Sequence, residues 1–226
     1  MNLLILGRGK TGSMVEEVAR ARRHHVRVFG GRENKDSCAL TAECLREVDM
    51  VIDFTIPAAV PANIAACLRE RKQMVVGTTG WHADMAAVRH RVEEAGTGFL
   101  CGANFSIGVN LFLEAVRASA EAHQHGYHGQ IFERHHQHKK DAPSGTALVM
   151  QNIIKEKSRA ELEITSFREG DVVGMHELVF DSANDRIYLC HDAKSRRGFA
   201  EGAVLGAEWL ATKKGFFEFK DVWREL

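Results

Sequence analysis

The chain has 226 residues, which suits one large domain or two modest ones and excludes a peptide or a disulfide-stapled mini-protein. Its 30 basic residues balance 30 acidic ones, which argues against a nucleic-acid or membrane-surface binder, since either needs a basic excess to neutralise phosphates. Hydrophobic residues make up 45% of the chain, enough to bury a core, and no apolar run approaches the roughly 20 residues of a membrane span. In chain order, residues 2–6 read as a strand ending at Gly7, residues 11–22 as a helix and residues 26–29 as a second strand. A third strand is expected at 50–54 and an alanine-rich helix at 58–71, with Ile64 and Leu68 on one face. A strand at 73–76 ends at Gly77, and a helix at 83–95 and a strand at 98–101 follow. Strands separated by helices need crossover connections, so this half is expected to be a Rossmann-type, doubly wound α/β domain with a parallel sheet.

Beyond Asn104 the rhythm changes. A helix is expected at 109–122, a strand at 130–138, a helix from Pro143 to about Lys157, and strands at 162–167, 172–180 and 186–191. Consecutive strands with short turns point to a largely antiparallel sheet in a second domain of α+β type. A last helix is expected at 202–212, followed by an aromatic tail at 216–223 whose docking partner periodicity leaves open. The chain starts as a strand running straight into glycines, with no charged leader or cleavage site, so a cytoplasmic protein is expected. Five cysteines without a CxxC pair are expected to be reduced, mostly buried thiols.

Gly7-Arg8-Gly9-Lys10-Thr11-Gly12 fits G-x-G-x-x-G between the first strand and the first helix, the context its mechanism requires. Gly7 would allow the tight turn, Gly9 the approach of a pyrophosphate, and Gly12 close packing of helix on strand, with the helix amides holding the phosphates. A plain glycine turn is the alternative. The second strand ends Phe29-Gly30-Gly31-Arg32-Glu33, with no acid at the strand end itself and Arg32 available to pair a 2′-phosphate. NADP is therefore favoured, although Glu33 can serve NAD.

Six of the 12 histidines fall between His123 and His138. The most informative run is Glu133-Arg134-His135-His136-Gln137-His138-Lys139-Lys140-Asp141-Ala142-Pro143-Ser144-Gly145-Thr146. Strand alternation would put His136 and His138 on one face and His135, Gln137 and Lys139 on the other. No nearby cysteine or carboxylate clearly completes a metal site, so no metal is expected. A histidine titrating near neutrality beside the cation Lys139 suits proton donation to a substrate gaining negative charge. Ser144, Gly145 and Thr146 open a helix whose hydroxyls and amides can hold a carboxylate, or simply cap the helix. Cations, a histidine and an anion hole side by side predict a small acidic substrate.

Further motifs extend over the whole chain: Asp53-Phe54-Thr55 with Pro57, Gly77-Thr78-Thr79-Gly80, Asn104-Phe105-Ser106-Ile107-Gly108-Val109-Asn110, and Gly170-Asp171-Val172-Val173-Gly174 with His176. With the glycine loop and the histidine run, they make the chain resemble the 4-hydroxy-tetrahydrodipicolinate reductase family, also called dihydrodipicolinate reductases, of bacterial lysine and diaminopimelate biosynthesis. The resemblance implies hydride transfer from NADPH or NADH to a cyclic dicarboxylate imine, giving tetrahydrodipicolinate with loss of water. By position, His135 matches the family's proton donor and acceptor and Lys139 its proton-donating lysine. His136, Gly145 and Thr146 match substrate-binding positions, with Ser144 beside them. Gly77, Thr78 and Thr79, with Gly102, Ala103, Asn104 and Phe105, match the region that holds the nicotinamide end.

The resemblance also implies a dinucleotide-binding domain of residues 1–105 plus 198–226 and an inserted substrate-binding and oligomerisation domain of residues 106–197. Closure between them and a homotetramer built through the substrate-domain sheets are implied as well. Three departures stand out: Thr11 replaces the family's usual methionine, Ile56 replaces a basic residue, and the loop after the second strand is compressed. A different two-domain NAD(P)-dependent oxidoreductase, such as an amino-acid dehydrogenase, would share the glycine loop but leave the histidine run unexplained. A non-enzymatic metal-binding or nucleotide-sensing module would need no lysine.

Overall fold

The computed structural model describes residues 1–81 and 85–226. It divides into two compact units, Met1–Ile107 with Arg196–Leu226, and Gly108–Ser195. The chain begins with β1 (Asn2–Leu6), α1 (Lys10–Ala21), β2 (His25–Phe29), α2 (Ala42–Arg46), β3 (Met50–Asp53) and α3 (Val60–Arg69). It continues through β4 (Gln73–Val76), α4 (Met85–Ala95) and β5 (Gly98–Cys101). Then come α5 (Ile107–Ser119), β6 (His128–His135), α6 (Gly145–Ser158), β7 (Glu163–Arg168), β8 (Met175–Asp181) and β9 (Arg186–Asp192). The chain closes with α7 (Arg197–Leu210), β10 (Gly215–Glu218) and α8 (Phe219–Val222). The expected start of the helix at Ala83 lies outside the described residues.

In the first unit six parallel strands run in the order β10-β5-β4-β3-β1-β2. Alternation along β1 sends Leu3 and Ile5 to one face and Leu4 and Leu6 to the other, and all four are buried. The first face packs against Val15 and Val18 of α1, Ala203 and Val204 of α7, and Phe219 of α8. The second packs against Ile64 and Leu68 of α3 and Val88 and Val92 of α4. The sheet is thus covered on both sides, as crossover connections demand.

The aromatic tail completes this unit. β10 pairs in parallel with β5, Gly215 opposite Gly98, and Phe219 packs on Phe105 with ring centroids 4.6 Å apart. The last helix starts at Arg197, five residues ahead of the expected 202. Gly202 is no boundary: it lies inside α7, where a Cβ would come within 1.8 Å of the Phe105 carbonyl oxygen, so its missing side chain lets the helix sit against that backbone.

The second unit carries a four-stranded sheet in the order β7-β6-β8-β9. β6 pairs antiparallel with β8 and β8 with β9, but β6 and β7 are parallel because α6 crosses between them. Ile131, Leu178 and Phe180 face Met150 and Ile154 of α6 in its core. The expected strand 130–138 ends at His135, since the chain turns at Gln137 and His138 and the Lys139 amide donates to the His136 carbonyl at 3.0 Å. The strand alternation expected for His136 through Lys139 therefore does not apply.

All five thiols are free. Cys67 and Cys101 are buried, and burial pushes the Cys101 thiol up to about 12. Cys38 and Cys190 are exposed, against the expectation of mostly buried thiols, because Cys190 falls on the outward-facing positions of β9 and Cys38 follows a short surface turn. No helix among the described residues is long and apolar enough to cross a membrane.

Phe219 is wholly buried between the sheet and Phe105. Phe219→Ala should destabilise the first unit by about 3–5 kcal/mol, read as a lowered midpoint of urea unfolding followed by tryptophan fluorescence.

Candidate active site

β1 lies between β2 and β3, so strand order reverses there, and the loops beyond the carboxyl ends of the strands flank the crevice where parallel sheets of this kind bind nucleotides. Gly7 has φ +107°, and a Cβ there would come within 2.3 Å of the Phe54 carbonyl oxygen, so only glycine can make this turn. A Cβ on Gly12 would stand 2.2 Å from the Gly7 carbonyl oxygen, which is the close helix-strand approach. At Gly9, the N-cap of α1, a Cβ would meet nothing within 4 Å. The chain thus leaves open space directly before the first amides of α1, where a pyrophosphate fits, with Lys10 exposed and Thr11 half-buried beside it.

At the end of β2, Glu33 folds back onto its own turn. The Gly30 amide donates to its Oε2 at 2.5 Å, and the Arg8 guanidinium donates to both of its oxygens at 3.2 Å and to the Val28 carbonyl at 3.0 Å. Hydrogen bonds from Arg8 and Gly30 hold the Glu33 carboxyl below the usual range. Arg32 is exposed beside this pair.

The loops after β3 and β4 are joined by Asp53, which has no exposed surface. Its Oδ1 accepts from the Thr55 amide at 2.8 Å, the Thr55 hydroxyl at 2.6 Å and the Thr78 hydroxyl at 3.2 Å. Its Oδ2 accepts from Asn63 Nδ2 at 2.8 Å, and Asn63 Oδ1 accepts in turn from Asn34 Nδ2 at 2.9 Å. Burial pushes the Asp53 pKa up, and the bonds from Thr55, Asn63 and Thr78 work against it. Thr78 is therefore a framework residue, while Thr79 is exposed. Gly77 carries no side chain because the Phe54 ring occupies the space 2.2 Å from where a Cβ would be. Gly102, Ala103 and Asn104 follow β5 at the same edge. The Phe105 side chain is buried against Phe54 and Phe219, so only its backbone faces the loop.

The second unit gathers the other predicted residues around the end of β6. Ile131, Glu133 and His135 share the buried face of that strand, and Glu133 has no exposed surface. Its Oε2 makes a very short contact with His135 Nδ1, and its Oε1 accepts from Arg168 Nη2 at 2.7 Å. Burial alone would raise the Glu133 pKa, but Arg168, Ser166 and His135 outweigh it and hold the group below the ordinary value. Burial lowers the His135 pKa, and Lys139 and Arg168 add to the lowering while Glu133 opposes it. The His135 and His176 rings meet edge to face at 5.2 Å, and burial takes His176 down to about 3. Lys139 Nζ donates to both oxygens of Asp141 at 2.8 Å.

Ser144 caps α6, its Oγ accepting from the Ala147 amide at 3.3 Å and lying 3.0 Å from His176 Nε2. Its hydroxyl is thus engaged within the protein, and the amides of Gly145 and Thr146 open the helix beside it. Gly145 is exposed and Thr146 half-buried. His136 follows His135 directly, with its ring 6.3 Å from that of His138.

Two family profiles, "Dihydrodipicolinate reductase, N-terminus" and "Dihydrodipicolinate reductase, C-terminus", match residues 1–105 and 108–223. The chain belongs to the dihydrodipicolinate reductase family. A 4-hydroxy-tetrahydrodipicolinate reductase from Christiangramia forsetii is 37% identical over all of this chain and 99% of its own length. One from Laribacter hongkongensis is 38% identical over 79% of this chain and 74% of its own length. Among solved structures, a dipicolinate-bound dihydrodipicolinate reductase from Paenisporosarcina sp. TG-14 shares the fold at TM-score 0.76 and 21% identity, covering 98% of this chain and 99% of that one. An aspartate dehydrogenase from Thermotoga maritima shares it at TM-score 0.53 and 11% identity, covering 94% and 97%.

As in other dihydrodipicolinate reductases, the cofactor is NADH or NADPH, and the open space at Gly9 is what a pyrophosphate would need. Glu133 and Arg168 were absent from the sequence-based site. The signal for Glu133 was present: two residues before His135 on a strand, it had to share the histidine's face. Arg168 carried no such signal, because it is strand pairing with β7 that brings it opposite His135 and within reach of Glu133, 35 residues away. Glu133, His135 and His176 each offer a donor atom within 4.8 Å of the others, a spacing a cation could use. Both Glu133 oxygens are already committed, one of them to a guanidinium, which favours a hydrogen-bonded network over a metal.

Asp53→Asn would turn an amide NH2 toward groups that all donate. It should destabilise the protein by about 1–3 kcal/mol and weaken NADPH binding in a fluorescence titration, because the Thr55 and Thr78 loops lose their common acceptor.

Proposed function

We infer that the chain reduces 4-hydroxy-tetrahydrodipicolinate to tetrahydrodipicolinate with NADPH, NADH or both, in lysine and diaminopimelate biosynthesis. The observation that carries this reading is the run from Glu133 to Thr146. There a buried histidine, a lysine and the start of α6 come together within one unit. When bound, NAD(P)H supplies the hydride that reduces the ring, which loses water. The amides and hydroxyl of Gly145 and Thr146 hold a substrate carboxylate, with Ser144 shaping the turn and His136 beside it. Lys139 offsets the negative charge of the dicarboxylate and donates a proton. His135, with Nδ1 turned to Glu133, exchanges its proton with substrate through Nε2.

Gly7, Arg8, Gly9, Lys10, Thr11 and Gly12 hold the pyrophosphate end of the cofactor. Gly77, Thr78, Thr79 and residues 102–105 frame its nicotinamide end. Arg32 is the residue for a 2′-phosphate, since Arg8 is engaged by Glu33. The exposed Tyr188 and Phe167 lie on the outward face of the second unit's sheet, supporting a homotetramer assembled through that face. Free thiols accord with a cytoplasmic enzyme.

With substrate generated by the preceding synthase, His135→Ala and Lys139→Ala should each slow turnover about 10²-fold or more while NADPH affinity is kept. Loss of cofactor binding in both variants would overturn the assignment of roles. Arg32→Ala should raise KM for NADPH roughly tenfold and leave NADH unchanged, the loss of one charge-assisted hydrogen bond. Equal effects on both cofactors would exclude a 2′-phosphate contact. Light scattering should give about four times the 25.2 kDa chain mass, and a monomer would refute the assembly.

A further inference from the structure

We propose that Glu133 is a positioning residue that sets the tautomer, the orientation and the charge of His135, with Arg168 limiting how strongly it acts. The proposal rests on the reading of His135 as the proton donor and acceptor and adds a residue that never touches substrate. Glu133 lies with no exposed surface on the strand face that it shares with Gly129, Ile131 and His135. A carboxylate is tolerated there only if both oxygens are engaged. One meets Arg168, which is itself held by the carbonyls of Asp141 and Phe167, each at 2.6 Å. The other meets His135 Nδ1.

An ionised carboxylate only accepts, so Nδ1 must carry the hydrogen and Nε2 becomes the nitrogen that gains and loses a proton. The Nε2 edge lies over Gly174, where a Cβ would come within 3.0 Å of that nitrogen, so a side chain at 174 would crowd it. The groups facing the ring are Glu133 from β6, Arg168 from β7, His176 from β8 and Lys139 from the turn after β6. His176 is neutral, and the Asp141 carboxylate is occupied by Lys139. Glu133 is therefore the group that favours a protonated His135 against burial, Lys139 and Arg168.

The test compares Glu133→Gln, Arg168→Gln and His135→Asn by steady-state kinetics from pH 5 to 10, with NADPH affinity and melting temperature measured alongside. Glu133→Gln keeps size and an acceptor but loses the charge. Its kcat should fall tenfold or more, NADPH affinity should stay within twofold, and the pH above which kcat/KM declines should move down. Arg168→Gln removes a cation and leaves Glu133 charged, so the same limb should move up. Loosened packing alone would not shift the two profiles in opposite directions.

A folded Glu133→Gln protein with an unmoved profile overturns the proposal. If that variant does not fold, Arg168→Gln decides: an upward shift supports the proposal, and an unmoved or downward one overturns it. His135→Asn separates this inference from the reading beneath it. Wild-type turnover in His135→Asn sinks both, whereas lost turnover there with an unmoved Glu133→Gln profile sinks only the role of Glu133.

Discussion

A carboxylate shut away from water must be surrounded by donors, and among the described residues two acids are fully buried, Asp53 and Glu133. Each stands at the functional edge of its own unit. Asp53 collects donors from Thr55, Asn63 and Thr78, and so ties together the loops that leave β3 and β4. Glu133 takes a guanidinium from β7 and the ring of its own strand neighbour His135. In both places an unmet hydrogen-bonding demand in the interior dictates where surface loops and reactive groups sit. In each unit a buried acid thus fixes the framework from which more exposed groups project.

The net charge of zero conceals how the charges are used. From Glu133 to Asp141 three cations, Arg134, Lys139 and Lys140, accompany two acids, a formal excess of one before the histidines are counted. The fold then withdraws both acids from service: Glu133 is neutralised by Arg168 from outside the segment, and Asp141 is held by Lys139. Burial keeps His176 neutral, and Arg134 and Lys139 are paired with Glu169 and Asp141, so the segment's excess is carried by Lys140 and, when protonated, by His135. A dianionic substrate meets a local field that whole-chain composition cannot reveal.

Much of the site could be read from residue order alone wherever the cause is local. The roles of Gly7 and Gly12 follow from backbone sterics over a few residues, and the distances that exclude a Cβ at each bear this out. The parallel sheet followed from apolar runs separated by helices, and the helix opening at Gly145 from its Ser-Gly-Thr cap after Pro143. Less legible were features that depend on a partner distant in sequence. Gly202 reads as a boundary until Phe105 backbone is found against it, and the strand through His135 reads as longer until the Gly170 carbonyl receives the Gln137 amide. Ser144 reads as a carboxylate ligand until His176 takes up its hydroxyl.

The order of residues therefore sufficed for the strand-helix rhythm, the glycine turn between β1 and α1 and the helix opening at Gly145, because periodicity, glycine sterics and capping chemistry act within one element or one turn. That Arg168 reaches Glu133, how Arg8 reaches the Val28 carbonyl, and that the aromatic tail closes the sheet beside β5 depended on packing in three dimensions. Each is settled by the cost of leaving a buried polar group or sheet edge without a partner, and the partner comes from an element 20 to more than 100 residues away.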